Sequence, residues 1–388
     1  MIMTEYQIRI DKIRREMCAA GADACLITTN VNLLYTTGQV LAGYLYIPRQ
    51  QEHLLFVRRP VGLTGDRVIY VRKPEEITGI LDQRGIARPK SIMLEGDVIP
   101  HSEWLRYEAV FSGSTVINGT PAIRKARSIK TDFEISLFRQ SGILHSGVYR
   151  KIPQLFRRGM TDVELSIEIE RAMRLAGSYG IFRVFGQSME IFVGSLLAGD
   201  NAAAPSPYDF ALGGRGRHPS LPVGADNTVL REGMAVMVDM GGNFTGYMTD
   251  MTRTFSVGQL PEHACFAHQT ALEIQEAAAR MAVPGTVCED IWQNALDIAA
   301  RNGLKDCFMG ISQQAKFVGH GVGIEINEWP ILGARSQTLL EKDMMIAVEP
   351  KFVIAGVGAV GIENTFLVTA SAGEKITLLD DQIVDLTA

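Results

Sequence analysis

Two short acidic hairpins in the last two thirds of the chain limit its fold more than any other feature. The stretch "VMVDMGGNFTGYMTDMTRTF" (236–255) runs an apolar strand into Asp239, turns through Gly and Asn, and returns through Asp250. Alternating apolar residues on either side of such a turn are a hairpin signal. With the loop at Asn243-Phe244-Thr245-Gly246, the register predicts that Asp239 and Asp250 are direct cross-strand partners, their Cβ atoms about 4.5–5.5 Å apart on one face. Carboxylates at that distance repel, so one is protonated or a cation lies between them. Further along, Glu349 ends the strand 344–348, and Glu363 lies in 361–368 beyond the Gly356/Gly358 turn. A second hairpin therefore again presents two carboxylates.

About 110 residues separate corresponding acids of the two hairpins. Upstream of each is a matching helix. One runs from Gly159 through the capping box Thr161/Glu164 to Gly177; the other runs from Gly285 through Cys288 to Gly303, and both intervals span 18 residues. Self-similarity at this scale points to a duplicated half-domain. The first third instead alternates a helical pattern (6–20) with strands at 24–28, 53–57, 67–71 and 91–94, which reads as a small α/β domain. A polar run at Arg124–Arg127 and a second capping box, Thr131/Glu134, place the boundary between domains 1–124 and 125–388.

Composition narrows the function classes. A net charge of −5 over 388 residues and a pI near 5.9 leave no electrostatic footprint for nucleic acid. No run of 18 apolar residues predicts a membrane span, and the charged, amphipathic start without an apolar stretch argues against a signal peptide. Five cysteines without CxxC spacing argue against a disulfide framework or a zinc–thiolate site and for a reducing, cytoplasmic setting.

Four carboxylates on two related hairpins invite a cation, and His320, between Gly319 and Gly321, is placed to join them. Carboxylates with one imidazole suit Mn, Fe, Co or Zn. Two such ions about 3.5–4 Å apart would lower the pKa of a shared water.

Asp239 and Asp250 in "VDMGGNFTGYMTDMTRTF", His320 in "GHGVG", Glu349 in "VEP" and Glu363 in "IENTFLV" resemble the five metal ligands of the pita-bread metallopeptidases, the group of aminopeptidase P, prolidase and methionine aminopeptidase. "ITTNVNLLYTTG" (27–38) and "RSIKTDFEISLFRQSG" (127–142) resemble the creatinase-like N-terminal domain and the helix that enters the second domain. The resemblance implies an α/β creatinase-like domain followed by an α+β pita-bread catalytic domain with an internal pseudo-twofold repeat. Its helices would pack outside a curved antiparallel sheet that carries the ligands on its concave face. It further implies two divalent ions. Asp239 and Glu363 would bridge them, Asp250 would complete one, and His320 with Glu349 the other. Glu349 would also accept the proton of the attacking water. Similarity to prolidases implies a homodimer.

The pattern departs from the family at three places. Asn327 and Ser206 stand where such peptidases carry the two pocket histidines, and Gly361 stands where an arginine is frequent. Ser206, Asn327 and the loop histidine His218 are the candidate pocket residues, and weak turnover of simple Xaa-Pro dipeptides is expected. The remaining histidines, among them His145, are read as packing or surface residues. The reading is a dinuclear hydrolase of small peptides, of Xaa-Pro aminopeptidase or dipeptidase type. Its alternatives are a hydrolase of a small non-peptide amide or amidine, and a catalytically silent binding module.

Overall fold

A computed structural model describes residues 2–186 and 191–388. It divides into two compact units, Met1–Arg127 and Ser128–Ala388. The polar run 124–127 belongs to the helix Thr120–Ser128, whose apolar side buries Ile123 and Ala126. Among the described residues no helix is long and apolar enough to cross a membrane.

The first unit is a six-stranded mixed sheet ordered Val68–Tyr70, Leu54–Arg59, Ala42–Pro48, Ala24–Ile27, Ser91–Leu94, Thr115–Asn118. Its central strand Ala24–Ile27 is wholly buried, as its unbroken apolar run requires. Buried Glu95 accepts the backbone N–H groups of Thr28 (2.6 Å) and Thr29 (3.0 Å) and the Asn32 amide (2.6 Å). This carboxylate thus satisfies donors at the start of the helix Asn30–Thr37 and meets the positive end of its dipole.

The second unit repeats one layout twice. Helices Asp132–Tyr149 and Asp162–Leu175 pack on a four-stranded sheet ordered Val384–Asp385, Met248–Ser256, Ala235–Asn243, Gly194–Ala198. Helices Glu262–Met281 and Cys288–Arg301 pack on a five-stranded sheet ordered Glu328–Gly333, Phe317–Gly321, Met345–Val348, Asn364–Val368, Gly373–Lys375. Each half has its own apolar core. Leu165, Ile169, Val236, Val238 and Met251 lie in the first, and Ala271, Ile291, Ile346, Val348 and Phe366 in the second. Both capping boxes form, with Thr131 and Thr161 accepting from the backbones of Glu134 and Glu164.

The register corrects one expectation. Strand Ala235–Asn243 runs one residue further than its sequence suggests, so the loop is 244–247 and Asp239 pairs with Thr252 while Asp250 pairs with Gly241. The aspartates are diagonal neighbours, not direct partners. A two-residue slip preserves the face, because side chains alternate with period two. The second acidic hairpin also differs in pairing: Met345–Val348 pairs with Asn364–Val368, and the residues between them form a separate ribbon, Lys351–Ile354 with Gly358–Gly361.

Arg253 ties the two halves of this unit together. Its guanidinium donates to the carbonyls of Glu363 (2.9 Å), Thr252 (2.8 Å) and Asp380 (2.7 Å) and to Asn364 Oδ1 (2.9 Å), and it pairs with Asp381 at 2.9 Å. Its side chain is 2% exposed. Arg253→Met removes the donor to the Glu363, Thr252 and Asp380 carbonyls, while Thr377 still holds Asn364 and Lys375 still holds Asp381, so urea unfolding should show a loss of about 3 kcal/mol from the buried carbonyls left unpaired. A loss below about 1 kcal/mol would place the stabilisation elsewhere.

Candidate functional site

Alternation along the first hairpin turns Val236, Val238, Met240 and Met251 toward the helices and Asp239, Asp250, Thr252 and Thr254 the other way. The segment 361–365, with Glu363 in the link between two strands, attaches to that second face through threonines. Thr252 Oγ1 donates to Glu363 Oε2 at 2.8 Å, Thr254 Oγ1 to the Gly361 carbonyl at 2.8 Å, and Thr365 Oγ1 to the Asp250 carbonyl at 2.9 Å. His320 arrives on Phe317–Gly321, which Met345–Val348 separates from Asn364–Val368, and it is flanked by glycines for a steric reason. A Cβ at Gly319 would lie 2.2 Å from the Ala347 carbonyl, and one at Gly321 2.0 Å from that of Trp329. Only bare backbone lets the His320 strand sit this close to its neighbours.

The five residues expected to act together converge. They form two overlapping groups, Asp250–His320–Glu363 and Asp239–Glu349–Glu363, with potential ligand atoms within 4.8 Å of one another in each. His320 Nε2 stands 3.7 Å from Asp250 Oδ2 and 3.5 Å from Glu349 Oε1, while Nδ1 lies 3.1 Å from the Gly321 carbonyl. A proton on Nδ1 donated to that carbonyl leaves the Nε2 lone pair facing the acids, as a metal-ligating imidazole requires. Glu363 Oε1 is buried with no hydrogen-bond partner among the described residues. A buried carboxylate oxygen is costly to leave unpaired, and a cation ligated by Asp250, His320 and Glu363 would satisfy it. The first group therefore fits a divalent ion.

The second group contains a residue the sequence reading missed. Lys351 Nζ donates to Asp239 Oδ2 at 2.8 Å and to Glu349 Oε2 at 2.6 Å, and lies 3.5 Å from Glu363 Oε2. Its spacing from Glu349 marks it in the sequence, and its cross-strand partner marks it in the structure. It stands two residues after Glu349, hence on the same side of an extended segment, and it faces Gly361 across the ribbon.

Burial sets the electrostatics. Asp250 is pushed up to about 7, first by desolvation and then by repulsion from Asp239 and Glu349, against the opposing pull of His320 and Lys351. Glu363 is raised by burial and by Asp250. Burial alone would lower Lys351, but Asp239, Glu349 and Glu363 reverse this and hold it well above the usual range. Exposure grades across the cluster from 21% for the Asp239 side chain and 15% for His320 to 1% for Glu363 and 0% for Lys351. The cluster thus opens to solvent at Asp239 and His320.

The candidate pocket residues take separate places. Asn327 brackets the Phe185 backbone, accepting from its N–H at 2.7 Å and donating to its carbonyl at 2.9 Å. Ser206 lines a cavity of about 380 Å³ with Tyr208, Gln313, Phe317 and Ile331, the last of which pairs with His320 across adjacent strands. His218 is exposed and bonds Ser220 within its own turn at 2.8 Å. His145 is a packing residue, fully buried against Tyr149 and bonded to Thr249, and burial depresses it to about 3.

The chain is similar to known metallopeptidases along nearly its whole length. Residues 136–370 match the model of metallopeptidase family M24, and residues 9–129 match the creatinase/prolidase N-terminal domain. An uncharacterised peptidase of Bacillus subtilis, YqhT, is 25% identical over 98% of this chain and 100% of its own length. An Xaa-Pro dipeptidase of Pyrococcus horikoshii is also 25% identical, over 97% of this chain and 98% of its own. Among solved structures, an Xaa-Pro dipeptidase from Bacillus anthracis superposes with a TM-score of 0.80 at 23% identity, covering 98% of this chain and 99% of that one. An X-Pro aminopeptidase from Thermotoga maritima gives 0.78 at 22%, covering 95% and 99%. The chain belongs to metallopeptidase family M24, with the pita-bread fold, and is a metal-dependent hydrolase.

The elevated Asp250 gives a pH test. Below about 7 this carboxyl holds a proton that an incoming ion must displace. Raising the pH from about 6 to 8 should strengthen ion binding roughly tenfold through this group alone. Calorimetry in buffers of differing ionisation enthalpy should show proton release at the lower pH. Affinity independent of pH, with no proton released, would contradict the assignment.

Proposed function

We propose that this protein hydrolyses small peptides, with Xaa-Pro dipeptides and Xaa-Pro amino termini as the first substrates to test, and that it acts as a homodimer. The observation that carries the hydrolytic reading is the convergence of Asp250, His320 and Glu363 around the unpaired Glu363 oxygen. Membership of family M24 and the activity of the Pyrococcus horikoshii relative support a peptide substrate.

A divalent ion in such a site supplies Lewis-acid polarisation of the scissile carbonyl and eases deprotonation of water. The chain's own groups do the remainder. Lys351 holds Glu349 Oε2, and Glu349 Oε1 faces His320 at 3.5 Å. Glu349 is thereby fixed with one oxygen directed at the open side of the cluster. In this reading it takes the proton of the attacking water and delivers it to the leaving nitrogen as the C–N bond breaks. The solvent-exposed edge at Asp239 and His320 is where the peptide enters.

The test has two parts. A panel of Xaa-Pro dipeptides, longer Xaa-Pro peptides, non-proline dipeptides and small amides should show turnover of peptides. Turnover of the amides alone would move the protein to the non-peptide reading, and no turnover with metal bound would favour a silent module. Glu349→Gln keeps the side chain's size and removes its basicity. In a variant confirmed to carry metal, kcat should fall by about 10²–10⁴, and an unchanged kcat would remove Glu349 from the proton path.

A further inference from the structure

The three oxygens of the Asp239–Glu349–Glu363 group do not enclose an empty centre. Lys351 Nζ lies among them, 2.8, 2.6 and 3.5 Å from Asp239 Oδ2, Glu349 Oε2 and Glu363 Oε2. An ammonium has three donors and no acceptor, and here it faces three carboxylates. A divalent ion held by the same oxygens would stand about 2.0–2.2 Å from each, within the volume that Nζ fills. We propose that this chain supplies one of its two site cations covalently, as Lys351, and takes up a single divalent ion at Asp250, His320 and Glu363. The inference rests on reading these five residues as a metal centre, not on which substrate is cleaved.

The backbone around Lys351 is built for this placement. Lys351 opens the ribbon Lys351–Ile354 directly across from Gly361. A Cβ at position 361 would lie 2.4 Å from the Pro350 carbonyl, 2.7 Å from Lys351 Cα and 3.2 Å from Lys351 Cγ. Gly361 also has φ +151°, and its N–H and carbonyl are both bonded to Thr254 Oγ1, at 3.0 and 2.8 Å. A side chain at 361 would therefore collide with the backbone of Pro350 and Lys351 and crowd the lysine stem, and the hydrogen bonds keep the backbone from retreating. The missing arginine at 361 and the lysine at 351 are two parts of one arrangement. The Lys351 side chain is 0% exposed, so its charge has no water to turn to and depends on the carboxylates it meets.

Metal-free protein loaded with Mn²⁺ or with Zn²⁺, dialysed and examined by native mass spectrometry should retain one ion per chain. Lys351→Ala opens the second nest and should retain two. Asp250→Ala, which leaves Lys351 in place, should retain none. Two ions on the wild type, or one on Lys351→Ala, would overturn the proposal. If Lys351→Ala does not fold, Asp250→Ala and Asp239→Ala decide: an ion kept by Asp250→Ala and lost by Asp239→Ala would lie in the nest assigned to the lysine and overturn the proposal. Turnover is not the readout, so a one-ion protein that cleaves no peptide would leave this inference standing and sink only the proposed substrate. Retention of no ion by the wild type would overturn both.

Discussion

Four carboxylates gathered at one poorly hydrated place are the constraint on which the catalytic unit depends. Each buried charge carries an effective desolvation penalty of several kcal/mol, and mutual repulsion adds to it. The fold meets this cost with one internal ammonium, with threonine hydroxyls and with protonation. Lys351 neutralises the Asp239–Glu349 side of the cluster. On the other side Asp250 is raised to about 7, and Glu363 keeps one oxygen buried without a partner. The asymmetry gives the site its chemistry. One side is already satisfied, and the other requires an external cation.

Such a cluster needs a scaffold that cannot relax away from it. Two sheets, each backed by its own pair of helices and its own apolar core, meet along a seam of threonines at 252, 254 and 365. Arg253 spans that seam from the opposite side of its strand and holds the Glu363 carbonyl at 2.9 Å. The acids therefore come from chain segments far apart in sequence but fixed by neighbouring hydrogen bonds. Gln275 continues this support from a helix, donating to the Val348 carbonyl at 3.1 Å beside Glu349 and accepting from Asn364 at 2.8 Å beside Glu363.

Much of this was legible in the sequence where periodicity carried the information. The duplicated helices announced themselves through glycines and a capping box, and the face shared by Asp239 and Asp250 survived a wrong register because a slip of two residues changes partners without changing sides. The loop position was not legible. Gly242 and Gly246 both suit a turn, and the strand's continuation to Asn243 depends on tertiary contacts such as Asn243 Nδ2 donating to the Ile181 carbonyl at 3.0 Å. Lys351 escaped notice because a lone lysine ordinarily reads as a solvated charge. Only its phase relative to Glu349, with the absent side chain at Gly361, distinguishes it. Asn327 stands where a pocket histidine is expected, yet its amide is committed to the Phe185 backbone, a contact 142 residues away that no local pattern encodes.

The central claim is that one cation of this site is a lysine and the other a bound ion. Anomalous diffraction at the manganese edge, from crystals grown with excess Mn²⁺, addresses it atom by atom. A single anomalous peak is expected within ligand distance of Asp250, His320 and Glu363, with Lys351 Nζ density between Asp239 and Glu349. Two peaks, with the lysine displaced from the carboxylates, would contradict it.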